Sequence, residues 1–482
     1  MLLTFVIVYW IVSVGIGIWA ALRVKNTGDY AVAGRSLPLP IVTATVFATW
    51  FGSETVLGIP ATFLREGFGG ILADPFGSSM CLILVGLFFA RPLYRMSLLT
   101  IGDYYRNRYG RTVETLTTIC IVLSYLGWVA AQISALGLVF NVVSGGEISQ
   151  AAGMVVGAST VLLYTLWGGM WSVAITDFVQ MIVIVLGMLY IGWDVSQMTG
   201  GVGAVVQHAA ESGKFASFWP EWSLAGVLGF TAALVTMMLG SIPQQDVFQR
   251  VASSKNEKTA GRASILGGCL YFGFAFIPMF LAYSATLIDP ALVQKLINGD
   301  KQSQLILPSL ILQHAPIFAQ VMFFGALLSA IKSCASATLL APSVTFTENI
   351  LRPMFRHLSD RELLRLMRVV VLCFTVMVTV FALNSHLSIY KMVENAYKIT
   401  LVSAFAPLAF GLYWKPANRL GALLSVGLGL TTWTGLELLA PQAMCPPQLA
   451  GLLASIAGMV VGSLLPQRRC AKRREPSQSR AA

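Results

Sequence analysis

The chain has 482 residues, 56% of them hydrophobic and 11% charged, with a mean hydropathy of +0.73. A water-soluble domain carries roughly a quarter charged residues, so this composition excludes one and points to a protein built for lipid. The formal net charge of +11 is no sign of nucleic-acid binding, because the lysines and arginines gather in short connections between apolar runs, as the positive-inside rule produces.

Each apolar run is near the ~20 residues that cross a ~30 Å hydrocarbon core. Thirteen spans are predicted, at 2–22, 40–62, 70–91, 114–142, 150–168, 171–195, 223–243, 265–287, 319–345, 367–385, 393–414, 419–438 and 447–466. No basic residue precedes the first run and Arg23 and Lys25 follow it. That is the reverse of a cleavable signal peptide, so a retained first helix with its N-terminus outside is expected. An odd count then puts the C-terminus in the cytoplasm. The inside connections hold Arg23, Lys25 and Arg35, then Arg91, Arg95, Arg106, Arg108 and Arg111, then Arg250, Lys255, Lys258 and Arg262. Arg352, Arg356, Arg361, Arg365 and Arg368 follow, with Lys415, Arg419 and the basic stretch Arg468–Arg474. The outside connections hold little beyond Arg65, Lys214, Lys295, Lys301 and Lys391. The expectation is one multi-pass transmembrane domain, 1–466, in a plasma membrane of the bacterial inner-membrane type. A basic, disordered cytoplasmic tail, 467–482, completes the chain. The long outside connection at 288–318 has room for a short surface helix.

Polar residues inside spans are costly and point to function. The middle of the second span, Ala48 to Gly58, holds two glycines, several hydroxyls, Trp50 and Glu54. This is the composition of a discontinuous helix, whose unwound carbonyls coordinate a cation and whose free N–H groups meet an anionic ligand group. A packing face of small residues is the competing reading; Glu54 and Trp50 favour a site. The seventh span ends in Gly240-Ser-Ile-Pro243-Gln244-Gln245-Asp246, a second interruption. Two interrupted helices five spans apart suggest inverted repeats, spans two to six (about 40–195) and seven to eleven (about 223–414).

In the ninth span, Ala330, Ser333, Cys334 and Ala337 share a helical face. A carbonyl at Ala330 and the hydroxyl of Ser333 suit a hard monovalent cation, and small-residue packing is an equal alternative. Lys332, about 200° around the helix from Ala330, needs a partner or water, or gives up its charge. Asp177 lies near the cytoplasmic end of the sixth span. It pairs with Lys332, lines a cation exit, or caps the interface. The four histidines, His208, His314, His357 and His386, lie far apart in or near connections. They form no metal-ligand or nucleophile–base pattern, so nothing supports an enzyme. The seven cysteines, mostly inside apolar runs, read as neither a disulfide framework nor a metal site.

Across nearly its full length the chain resembles the sodium:solute symporter family. The resemblance rests on Gly34-Arg35-Ser36-Leu37, Ala48-Thr-Trp50, and Tyr164-Thr-Leu-Trp-Gly-Gly169 followed by Thr176-Asp177-Phe-Val-Gln180. Phe248-Gln249-Arg250 and Ser333-Cys-Ala-Ser336 with Thr347-Glu348-Asn349 complete it. It implies an all-α, five-plus-five inverted-repeat (LeuT-like) transporter fold with one leading and two trailing spans. By position it implies sodium ligands at the carbonyls of Ala48, Phe51 and Ala330 and the side chains of Ser333 and Cys334. The sequence departs from the family at Cys334, usually Ser or Thr, and at Lys332, usually apolar; a thiol is a poor ligand for hard Na⁺.

Within the family the chain is most similar to the choline-transporter branch, through Leu84–Pro92, Ser134–Gly137 and Leu239–Pro243. Trp50 and Trp128 match aromatic positions of that branch, whereas Ser78 and Gln244 stand where it carries further aromatics. A half-dismantled aromatic cage with Gln244 and Glu54 nearby suits a more polar solute, such as an amino acid or small amine. The expected substrate-binding set is Trp50, Gly52, Glu54, Ser78, Trp128, Gly240 and Gln244, with Asp177 and Lys332 on the ion pathway. The expected partners are a small organic solute, Na⁺ or H⁺ and the bilayer, with no cofactor beyond the coupling ion and no nucleic acid. The expected activity is sodium-coupled symport by alternating access. The alternatives are proton-coupled or ion-independent transport through Lys332, and a transporter-like sensor, which binds solute without counterflow.

Overall fold

The computed structural model describes residues 2–466 except 217 and 356, so the expected tail at 467–482 lies outside the described residues. Among the described residues the architecture is all-helical. Nine helical runs are long and apolar enough to cross a membrane, and eleven if each of two bent pairs counts as one.

The helices begin where polar caps satisfy their free N–H groups. Ser149, Ser223 and Asn418 each accept a main-chain N–H from within the first turn. Thr100 with Asp103, and Ser359 with Glu362, form capping boxes. The runs predicted at 150–168 and 171–195 form one helical stretch, Gln150–Met198, broken at Gly169 (φ 48°, ψ −143°). A Cβ at Gly169 would also sit 2.4 Å from the carbonyl oxygen of Tyr30, so only glycine serves here.

The sequence boundaries fail in one instructive place. The span predicted to end at 243 continues: Leu224–Gly240 bends by 45° into Gln245–Ser253. Every residue of that second piece is buried, including Arg250, which the charge count had placed in a connection. Its guanidinium donates to Thr49 Oγ1 (2.7 Å) and to the main-chain oxygen of Asp246 (3.1 Å). A buried arginine bonded this way leaves no trace in the loop-charge asymmetry. A second 45° bend, between Ile389–Ser403 and Phe405–Tyr413, had no expectation behind it.

The two interrupted helices are joined directly. Leu37 N–H donates to Ser253 O (3.0 Å) and Lys255 N–H to Leu37 O (2.9 Å), clamping the entrance of one to the exit of the other. The long connection expected around 288–318 contains the short helices Pro290–Leu296 and Ile306–His314.

In that connection Asp300 bonds Lys391 (2.9 Å) and is also paired with Arg65, tying the connection to the starts or ends of two membrane helices. Lys391 first, then Arg65, hold its carboxyl below the ordinary carboxylate range. A depressed folded-state pKa adds stability that is complete above the unfolded value of ~4 and lost as pH falls through the folded one. The stability difference between the wild type and Asp300→Asn is therefore expected to be constant from pH 7 to about 5 and to shrink progressively as pH falls below about 4. Its size should stay within roughly 1 kcal/mol, because the ion pairs are solvent-accessible. Thermal melts of both proteins across pH check this; a difference that grows on acidification would contradict it.

Candidate substrate and cation site

The site is built on the break after Leu39–Trp50. Phe51 leaves the helical region (φ −82°, ψ 72°). The N–H of Gly52 turns back to Trp50 O (3.0 Å) rather than to the carbonyl of Ala48, four residues earlier. The chain restarts in wide turns at Glu54–Gly58 and continues as Ile59–Glu66. Thr55 Oγ1 donates to Trp50 O (3.2 Å) across the gap. Main-chain carbonyls released from the helical ladder at bilayer depth are affordable only where other groups replace their partners.

A cluster of rings surrounds the break. Trp50 stacks on Tyr397 (centroids 6.1 Å apart, planes at 14°) and meets Trp128 edge-on (5.8 Å). It also meets Tyr271 edge-on (6.4 Å), and Trp128 lies 5.4 Å from Tyr397. These separations are those of favourable aromatic pairs. The four side chains come from four different helices and all are buried. Two carboxylates adjoin them. Glu54, 2% exposed, accepts from Trp128 Nε1 (3.1 Å) and Gln132 Nε2 (2.7 Å). Asp74 accepts from Tyr271 (2.5 Å) and Ser78 (2.7 Å), and the Tyr271 hydroxyl is 3.0 Å from Thr55 Oγ1.

Thus Trp50, Gly52, Glu54 and Trp128 lie together at the break, while Ser78 belongs to the cluster only through Asp74. Gly52 is needed for the closure: a Cβ there would lie 2.7 Å from Glu54 Oε2 and 2.9 Å from Cys334 Sγ. Gly240 acts at a distance. A Cβ on it would lie 2.6 Å from Tyr397 O, so it admits the helix that carries Tyr397. Gln244 donates to Ser124 Oγ (2.9 Å) and Thr400 Oγ1 (3.3 Å), and those bonds take up its amide beside the rings.

The positions singled out on the Ile317–Phe346 helix divide between its two sides. Ala330, Ser333 and Cys334 are fully buried, Cys334 faces Gly52, and Ser333 Oγ donates to Asp177 Oδ1 (2.5 Å). Of the three readings of Asp177, the partner is therefore Ser333 and not Lys332. Lys332 turns the other way: its Nζ sits over the rings of Trp10 (5.3 Å) and Tyr164 (5.6 Å), with no hydrogen-bond partner among the described residues. Ala48 and Phe51 are buried at the break.

Sequence reasoning passed over Asp74, Tyr271 and Tyr397, and met Asp246 only as the end of the second interruption. For Asp74 the signal was present, since it is a carboxylate inside a predicted span like Glu54. Asp246 bonds Tyr125 twice, through its carboxylate (2.5 Å) and its N–H (2.8 Å). The two tyrosines had no local cue. Beside Ser78 and Gln244, which are not aromatic, Tyr271 and Tyr397 bring rings from two further helices into a four-ring cluster.

The profile of the sodium:solute symporter family matches residues 30–429. The chain is 30% identical over 447 residues to the human high affinity choline transporter 1, covering 88% of this chain and 75% of that one. It is 25% identical over 484 residues to the high-affinity proline transporter PutP of Bacillus subtilis, covering 94% and 95%. A Na⁺-coupled sialic acid symporter in a substrate-bound outward-open state superposes with a TM-score of 0.78 at 19% identity, over 96% of this chain and 97% of that one. The shared fold and the match along 30–429 lead to one conclusion: the chain belongs to the sodium:solute symporter family.

Proposed function

We propose that the protein is a Na⁺-coupled symporter of a small organic ammonium compound, working by alternating access around the broken helix. The observation that carries this reading is the four-ring cluster of Trp50, Trp128, Tyr271 and Tyr397 with buried Glu54 against it. Ring faces attract a desolvated cation, and a buried carboxylate supplies the counter-charge. Choline and proline, the solutes named for two relatives, both carry an ammonium nitrogen. A thermal-shift screen of choline, simple amines, proline and uncharged sugars, each with Na⁺, Li⁺ or K⁺, tests it. Ammonium compounds with Na⁺ should raise the melting temperature by mass action. A hit confined to sugars would contradict it.

For the cation we assign the carbonyls of Ala48, Phe51 and Ala330 with Ser333 and Cys334. The Ser333 hydroxyl donates its hydrogen bond to Asp177, which leaves its lone pairs for a cation. Ser333→Ala is expected to raise the Na⁺ concentration for half-maximal stabilisation by roughly tenfold, the loss of one good oxygen ligand. Cys334→Ser should lower it several-fold, because a hydroxyl replaces a soft thiol. A thermal titration with NaCl reads both, and an unchanged midpoint in both variants would remove these residues from the site. Coupling through Lys332 is disfavoured by its position over Trp10 and Tyr164. Sodium dependence should survive Lys332→Met.

The same reading assigns thirteen crossings, N-terminus outside. Gln150–Met198 is 49 residues long, about 74 Å as a straight helix, more than twice a ~30 Å core. With its break at Gly169 it suits two crossings rather than one. The repeats then span 40–195 and 223–414, each opening on an interrupted helix.

A further inference from the structure

A cavity of about 620 Å³ lies away from the ring cluster, between the end of Gln150–Met198, the short helix Val202–Glu211 and the Glu257–Ile288 helix. Its floor is buried and includes Phe63, Val205, Ala209 and Met279. Its rim includes Leu189, Trp193 and Val206, each about half exposed, and the first two lie within the apolar run 171–195. The cavity therefore opens to the surface through apolar side chains. Its two hydroxyls are already engaged: Ser196 donates to Trp193 O (2.7 Å), and Tyr283 pairs with His208 Nδ1 (2.9 Å). Little is left to hold a water or a polar solute, and apolar cavities of this kind stay dry and take apolar guests. The volume is about four times the ~150 Å³ that admits a benzene, which corresponds to a guest on the order of twenty carbons.

The cavity also touches the transport machinery. Phe63 belongs to Ile59–Glu66, the far half of the broken helix, and Phe68 follows it. Phe68 stacks on Phe215 (4.9 Å) and its N–H donates to Lys214 O (2.9 Å), while Lys214 Nζ donates to Leu64 O (2.5 Å). The stretch that follows Val202–Glu211 is thus fastened to that half-helix, beside the cavity. Gln207 and Glu211 bond each other on the exposed side (2.9 Å), while Val205 and Ala209 are buried, so the short helix is amphipathic.

We propose that this cavity is a binding site for an acyl chain of a membrane phospholipid, held against the far half of the broken helix. The test uses the full chain in phosphatidylethanolamine–phosphatidylglycerol vesicles doped with a phosphatidylcholine that carries a diazirine near the end of one chain. Photolabelling should concentrate on the peptides holding Val205–Ala209 and Met279–Phe280. Ala209→Trp and Gly192→Leu each fill the cavity. The second has room, since a Cβ at Gly192 meets only Ile277 Cγ2 at 3.5 Å. Either variant, if monodisperse on gel filtration, should cut that labelling by roughly tenfold, because a side chain takes the guest's volume. Val376→Trp, on another lipid-facing helix, should leave it unchanged. Native mass spectrometry of the detergent-purified wild type should show one retained phospholipid. Labelling spread evenly over the lipid-facing helices, labelling that survives a folded filling variant, or a retained free fatty acid in place of a phospholipid would each overturn the assignment.

Discussion

Glu54→Gln is expected to weaken binding of an organic ammonium ligand by roughly 30- to 1,000-fold, about 2–4 kcal/mol. Glu54 is the carboxylate against the Trp50 and Trp128 rings, and its two oxygens take the Trp128 indole and the Gln132 amide. In a buried site the attraction between its charge and a ligand cation is little screened. The substitution removes that charge while keeping shape and one acceptor. It leaves one of the two donors short of a partner, at about 1 kcal/mol of apo stability. The discriminating ligand is 3,3-dimethylbutan-1-ol, which has the shape of choline without its charge. Its binding should change by no more than a few-fold, because the ring cluster remains. Equilibrium binding of both ligands to both proteins reads the effect. Equal losses for the two would mean that Glu54 acts on packing and not on charge.

The second large effect is structural. Arg250→Met should destabilise the protein by about 3–5 kcal/mol, the cost of removing one partner from a buried charged network. Arg250 is buried, anchors Thr49 one residue before Trp50, and closes onto the main-chain oxygen of Asp246. The Asp246 carboxylate takes its side-chain hydrogen bond from Tyr125, so the loss of Arg250 removes a neighbouring positive charge rather than a donor. A fall of several degrees in the apparent melting temperature is expected. The double variant Arg250→Met with Asp246→Asn should recover part of it, because the unpaired charge is gone. A single variant as stable as the wild type would show that Arg250 and Asp246 are not energetically linked.

These two residues also mark what was legible in the sequence. Glu54 stood out because a carboxylate among glycines and hydroxyls at bilayer depth has few structural uses. The break it adjoins was visible for the same reason, and Gly52 has a geometric requirement to match. Arg250 was misread because loop charge and buried charge look the same in a one-dimensional count. The partition of Asp177 from Lys332 depended on which side of a helix each faces across a neighbour, which spacing on one helix does not give. Tyr271 and Tyr397 were invisible for a different reason. A tyrosine in an apolar span is ordinary, and only tertiary packing of the helices that carry them brings the rings to Trp50.

The claim that organises the rest is that a sodium gradient drives an organic ammonium solute through this site. Proteoliposomes holding the purified chain, with labelled choline outside, test it by imposing an inward Na⁺ gradient, an inward proton gradient, or neither. Accumulation above the external concentration is expected with the Na⁺ gradient alone, and it should persist in Lys332→Met. Uptake that only equilibrates, or that a proton gradient drives uphill without Na⁺, would contradict it.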